Sequence, residues 1–118
     1  MKIVFVVDDM ETNLFVMKKA IEKVYKTYTF TSAEIMFKNI ERITPDLILL
    51  DIEMPEMDGF EAIQKIKQDE RFNKIPVLFI TGTINEEKEK KGYQLGALGF
   101  IKKPITTDDL LQKINEYI

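Results

Sequence analysis

The 118 residues carry a formal net charge of -3, with 45% hydrophobic and 31% charged residues, which fits one globular domain spanning residues 1–118 rather than a disordered chain. Cysteine and histidine are both absent. That excludes disulfides, thiolate chemistry, Cys- or His-built zinc sites and any triad that needs an imidazole base.

In chain order, Ile3–Val7 is an apolar, β-branched-rich run, as expected of a strand buried on both faces. Asp8 and Asp9 end it after five residues, too few for a secretion-signal core or a membrane span, so the cytoplasm is the expected location. Leu14, Met17, Ile21 and Val24 fall on one face of a helix. Thr27–Phe30 is a weaker strand, and Ala33, Met36, Phe37 and Ile40 mark a second helix, with Thr31 and Glu34 spaced as a capping box. Leu47–Leu50 is again a buried-strand run, followed by a helix whose apolar face carries Phe60, Ile63 and Ile66. Val77–Ile80 is the next strand. The stretch Asn85–Leu95 is charged on nearly every side, and Glu86–Lys91 reads as a solvated helix face. Phe100–Ile101 is a short strand, and Leu111, Ile114 and Ile118 mark a last helix capped by Thr106 or Thr107.

Strands alternating with helices predict an α/β fold with a parallel sheet: a doubly wound, flavodoxin-like (βα)5 architecture. The strand order 2-1-3-4-5 is taken from folds of that kind. In such a sheet, ligands sit at the carboxyl ends of the strands.

At that edge the first strand runs into Asp8-Asp9, the third into Asp51, the fourth into Thr81 and the fifth into Lys102-Lys103-Pro104. Adjacent strands lie about 4.8 Å apart, so the Asp8 and Asp9 carboxylates can approach Asp51 from one side and the Thr81 hydroxyl from the other. The fifth strand is two strands away, about 10 Å, a gap that a lysine side chain spans. Three carboxylates in one pocket repel unless a cation lies among them. Oxygen ligands without His or Cys suit Mg2+, which with one lysine balances the three negative charges. Such a site accepts a phosphoryl group on a carboxylate, mainly by positioning and electrostatics.

Val7-Asp8-Asp9, Leu50-Asp51-Ile52-Glu53-Met54-Pro55-Glu56-Met57-Asp58-Gly59, Ile80-Thr81-Gly82, and Gly96-Ala97 through Phe100-Ile101-Lys102-Lys103-Pro104 together resemble the response-regulator receiver (CheY-like) family of two-component signalling, along the whole chain. The resemblance implies that Asp51 is the phosphoacceptor. It also implies that Asp9 ligates Mg2+ directly, Asp8 largely through water, and Glu53 through its backbone carbonyl. Lys103, rather than Lys102, matches the lysine that contacts the phosphoryl group, across a Lys-Pro bond commonly cis in relatives. Thr81 and Phe100 match the switching pair, in which the hydroxyl moves to the phosphoryl group and the ring turns inward. Gly82 fits the small residue that leaves the acceptor accessible. Glu53 and Thr83 occupy positions that tune phosphate lifetime. Two departures stand out: Gly99 replaces a common Asp, and Phe100 replaces the commoner Tyr.

The implied donor is a histidine kinase or phosphotransfer protein. The implied read-out is the face of the fourth helix, fifth strand and fifth helix, about Asn85–Ile118, which binds a downstream protein or a second copy of the chain when phosphorylated. The low charge argues against direct nucleic-acid binding, and nothing in the chain calls for a membrane. The chain would catalyse only its own phosphoryl transfer and dephosphorylation. Ile118 follows directly on the fifth helix, compatible with a free-standing receiver or with a piece of a longer regulator or hybrid kinase. A phosphatase of the haloacid dehalogenase type would need Asp-x-Asp after the first strand, and a flavodoxin-like FMN carrier would need a Ser/Thr/Gly loop there. The sequence has neither. A receiver-shaped module that is never phosphorylated fits poorly with intact Asp8, Asp9, Asp51, Thr81 and Lys103.

Overall fold

The computed structural model describes residues 1–118. Its elements are β1 (Ile3–Val7), α1 (Glu11–Ile21), β2 (Lys26–Phe30), α2 (Ala33–Ile40), β3 (Leu47–Asp51), α3 (Gly59–Gln68), β4 (Val77–Thr81), α4 (Glu86–Gln94), β5 (Gly99–Lys102) and α5 (Thr107–Asn115). The strands form one parallel sheet in the order β2-β1-β3-β4-β5, as expected.

Side chains alternate across the sheet and feed two apolar layers. Phe5, Val7, Ile48, Leu50, Val77 and Phe79 pack with Met36 and Ile40 of α2 and with Ala62, Ile63 and Ile66 of α3. Val4, Val6, Leu47, Leu49, Leu78 and Ile80 pack with Leu14, Met17 and Ile21 of α1 and with Leu110 and Ile114 of α5. The central strands β3 and β4 are buried at every position, which is why they read as unbroken apolar runs.

Several local expectations shift by a residue or a turn. α1 stops at Ile21, so Val24 lies beyond it and stays 49% exposed rather than continuing the apolar face. Ser32, not Thr31, caps α2: its hydroxyl accepts from the Ile35 N–H at 3.2 Å, and the Thr31–Glu34 box does not form. Two adjacent hydroxyl residues compete for one cap, and the helix start selects the second. In α5, Leu110 and Ile114 carry the buried face and Leu111 packs at its margin, while Ile118, expected on this helix, lies beyond its end at Asn115 and packs against the same layer. Thr106 is the α5 cap, accepting from the Asp109 N–H at 3.2 Å. The charged stretch 86–94 is helical, started by Asn85, and buries only Gly92. The strands β3 and β4 run one residue further than their apolar runs, taking in Asp51 and Thr81.

Register sets the working edge. Val7 lies opposite Leu50, so Asp8 emerges level with Asp51; Asp51 lies opposite Ile80, and Thr81 opposite Lys102.

Candidate functional site

Asp8, Asp9 and Asp51 bring carboxylate oxygens within 4.8 Å of one another. Asp8 is fully buried and Asp51 is 2% exposed, whereas Asp9 faces solvent. The β1–α1 turn holds Asp8 in place: its Oδ1 accepts from the Met10 N–H at 2.9 Å, and its Oδ2 from the Asn13 side-chain amide at 3.3 Å. Lys103 follows β5, with its backbone N–H donating to the Thr81 carbonyl at 2.8 Å and a cis bond to Pro104. Its side chain crosses the gap expected from strand spacing. Its Nζ donates to Asp8 Oδ2 at 3.2 Å and lies 3.5 Å from Asp51 Oδ1. Lys102 points outward and is exposed.

Burial pushes the Asp51 carboxyl up to about 7, the nearby Asp8 carboxylate adds to the rise, and Lys103 only partly opposes it. For Lys103, burial disfavours the charge, but the Asp51 and Asp8 carboxylates outweigh it and hold the ammonium above its ordinary value. Asp51 Oδ1 is buried with no hydrogen-bond partner. With the Lys103 ammonium 3.5 Å away as an ion pair rather than a hydrogen bond, this oxygen keeps acceptor capacity that a further cation would satisfy. The donor set is hard oxygen, clustered and partly open through Asp9, so these residues fit Mg2+.

The β3–α3 loop is set by two residues at the start of α3. Asp58 caps the helix through Oδ1 and the Glu61 N–H at 2.9 Å. Gly59 backs directly onto the end of β3: a Cβ there would come within 2.5 Å of the Asp51 carbonyl oxygen and 2.8 Å of Ile52 Cα. Only glycine allows that approach. Gly82, after Thr81, faces open space. Gly99 lies under Tyr117, where a Cβ would meet the phenol oxygen at 3.0 Å, so a larger side chain there would require Tyr117 to shift.

The Thr81 hydroxyl is buried, yet its hydrogen bonds go to Glu53 and Thr83 and not to Asp51. It lies 3.1 and 3.2 Å from the two Glu53 carboxylate oxygens and 2.9 Å from the Thr83 carbonyl. Glu53 is also held by Lys88 of α4. Burial would raise the Glu53 carboxyl, but the Lys88 and Thr81 hydrogen bonds outweigh it and keep it below the usual carboxylate range. Phe100 is half-buried, with its ring 5.5 Å from Phe79 and 5.4 Å from Tyr93 between centroids.

Two residues of this network escape a sequence reading. Asn13 looks like any polar residue on an exposed helix start. Lys88 lies in the charged run that reads as a solvated face, yet its side chain is only 24% exposed and turns back toward the site. No periodic pattern singles it out from its neighbours.

A doubly wound parallel sheet with its polar groups gathered at the carboxyl ends of the strands places the chain among the α/β proteins that bind ligands at that edge. The comparisons narrow the class. The family model described as response regulator receiver domain matches residues 4–115. The chain is 33% identical over 115 residues to a probable cyclic di-GMP phosphodiesterase of Vibrio cholerae, covering 98% of this chain and 26% of that protein. It is 32% identical over 118 residues to the polar-differentiation response regulator DivK of Brucella ovis, covering 99% of this chain and 96% of that one. The solved structure of the Vibrio cholerae chemotaxis protein CheY4 superposes with a TM-score of 0.96 at 24% identity over 100% of this chain and 99% of that one, a likeness of fold. The chain thus spans about a quarter of the first relative and nearly all of the second.

This chain belongs to the response regulator receiver domain family of two-component signalling. Receiver domains of the family bind Mg2+ at acidic residues and exchange phosphoryl groups with histidine kinases or phosphotransfer proteins through an aspartyl phosphate. No helix is long and apolar enough to cross a membrane.

Proposed function

We propose that residues 1–118 act as one Mg2+-dependent receiver switch that takes a phosphoryl group onto Asp51 from a histidine kinase or phosphotransfer protein. The observation that carries this reading is the convergence of Asp8, Asp9, Asp51 and Lys103 from three strands onto one pocket. In this reading Asp9 and Asp51 would hold the cation directly, Asp8 largely through water, and Glu53 through its backbone carbonyl. A bound cation would supply charge neutralisation for the phosphoryl oxygens.

A carboxylate oxygen of Asp51 attacks the phosphorus in line with the donor's P–N bond. The acyl phosphate P–O bond forms as that bond breaks, and the electron pair leaves with the donor imidazole. Lys103 holds the transferred oxygens and offsets their charge. Attack requires ionised Asp51; burial works against that ionisation and the Lys103 ammonium works for it. Later attack by water on phosphorus returns the carboxylate and inorganic phosphate, so the chain acts on its own phosphate and on no separate substrate. For read-out, the Thr81 hydroxyl leaves Glu53 and Thr83 for the phosphoryl group and Phe100 turns inward behind it. That alters the α4–β5–α5 face, where a downstream protein or a second copy binds. The cytoplasm is the compartment this reading implies.

Incubation with acetyl phosphate and Mg2+ is expected to add about 80 Da to the wild type and nothing to Asp51→Asn. A wild-type chain of unchanged mass under those conditions overturns the reading.

A further inference from the structure

Lys88 sits in the first turn of α4, where its backbone N–H donates to the Asn85 cap at 2.8 Å. Its side chain reaches back out of the helix. Nζ donates to a Glu53 carboxylate oxygen, to the Thr83 hydroxyl at 2.6 Å and to the Thr83 carbonyl at 3.2 Å. An ammonium has three donors, and all three have acceptors here. Glu53 comes from the loop after β3 and Thr83 from the loop after β4, so one side chain on α4 ties the two loops together.

The ring closes on Thr81. Its oxygen accepts from the Thr83 N–H at 3.2 Å, and its single proton is shared between the Glu53 carboxylate and the Thr83 carbonyl. An isolated exposed ion pair does little. Charge-assisted bonds that converge on a shielded ammonium and fix a buried hydroxyl are stronger.

We propose that Lys88 is a positioning residue that clamps Glu53 and Thr83 around the Thr81 hydroxyl, holding it away from Asp51 until a phosphoryl group competes for it. The clamp rests on the reading of Asp51 as the phosphoacceptor. Because Lys88 belongs to α4, releasing Thr81 loosens the same helix that carries the read-out face, a helix whose one buried residue is Gly92. Phosphorylation and α4 movement are thereby linked through one side chain. Lys88 also cancels the Glu53 charge beside the acid pocket, so its removal alone mixes two effects. The pair Glu53→Ala with Lys88→Met removes the clamp while leaving the summed formal charge unchanged.

The test follows the Thr83 amide by 15N NMR, because its bond to the Thr81 oxygen reports where the hydroxyl sits. The same proteins are then titrated with beryllium fluoride, a phosphoryl mimic, in excess Mg2+, with thermal melting as the check on folding. The Thr83 resonance is expected to shift in Lys88→Met without any mimic, toward its position in mimic-bound wild type. The double variant is expected to bind the mimic about five-fold more tightly than wild type, the equivalent of one hydrogen bond that no longer opposes the switch. If wild type binds the mimic but the Thr83 resonance ignores Lys88→Met, or the double variant binds no more tightly, the clamp is refuted while the phosphoacceptor reading stands. A lower melting temperature with unchanged mimic affinity likewise marks Lys88 as merely structural. A wild type that fails to bind the mimic removes the phosphoacceptor reading and the clamp's role with it.

Discussion

Asp8, just after β1, and Asp51, at the end of β3, are closed off from solvent, whereas the Glu53 and Lys88 side chains that flank Thr81 on the β4 side are 51% and 24% exposed. The first pair rests on β3, buried at every position, on β1, buried from Val4 to Val7, on a helix cap at Asp58 and on the glycine contact at Gly59. Of the second, Lys88 rests on a helix that buries one glycine, and Glu53 is an exposed side chain of the loop after β3. The contrast separates two jobs on one edge. On the proposed function, groups that must be in place before chemistry are preorganised by the sheet, and groups that report the chemistry are held by polar contacts that a new anion can outbid. Elements that move are drawn from the less stable parts of a fold.

The largest expected effect probes the rigid half. The Asp51 carboxyl is raised from 3.8 to about 7 in the folded chain, so folding favours its protonated form. Its contribution to stability is fully present below pH 3.8, is lost as the pH rises toward 7, and is flat above. In chelator, wild type is therefore expected to lose up to about 4 kcal/mol relative to Asp51→Asn between pH 4 and 8, read from urea midpoints. Added Mg2+ is expected to recover much of that loss at pH 8. Parallel curves for the two proteins in chelator contradict a strained, preformed acid pocket.

Next in size is Gly59→Ala. The new methyl meets β3 backbone, which cannot yield as a side-chain tip can, so a loss of about 3 kcal/mol is expected by chemical denaturation. Its counterpart Gly82→Ala gives the smallest effect. Open space around that position predicts a change within about 0.5 kcal/mol, with any gain coming from the stiffer unfolded chain. Equal costs at the two glycines would erase the distinction between the halves.

The same division governs what the sequence discloses. Ile3–Val7, Leu47–Leu50 and Val77–Ile80 are legible because strands buried on both faces leave no room for polar residues until they end. The polar residue at each end, Asp8, Asp51 or Thr81, then marks the working edge. Lys103 is legible through its place after β5 and its neighbour Pro104. Helix details are less so: Ser32 and Thr31 are chemically equivalent caps, and Leu110 and Leu111 are equivalent apolar residues, so only packing chooses between them. Lys88 is hidden for a deeper reason. It is one of several charges on a polar helix, and nothing but the path of two distant loops makes its direction matter.

The central claim is that this edge holds a phosphorylated carboxylate at one position. Borohydride reduces an acyl phosphate on aspartate to homoserine, and so fixes the site chemically. After phosphorylation in Mg2+ and reduction, peptide sequencing by mass spectrometry is expected to find homoserine at residue 51 alone. Homoserine at position 8 or 9, or at none of the three, contradicts the account.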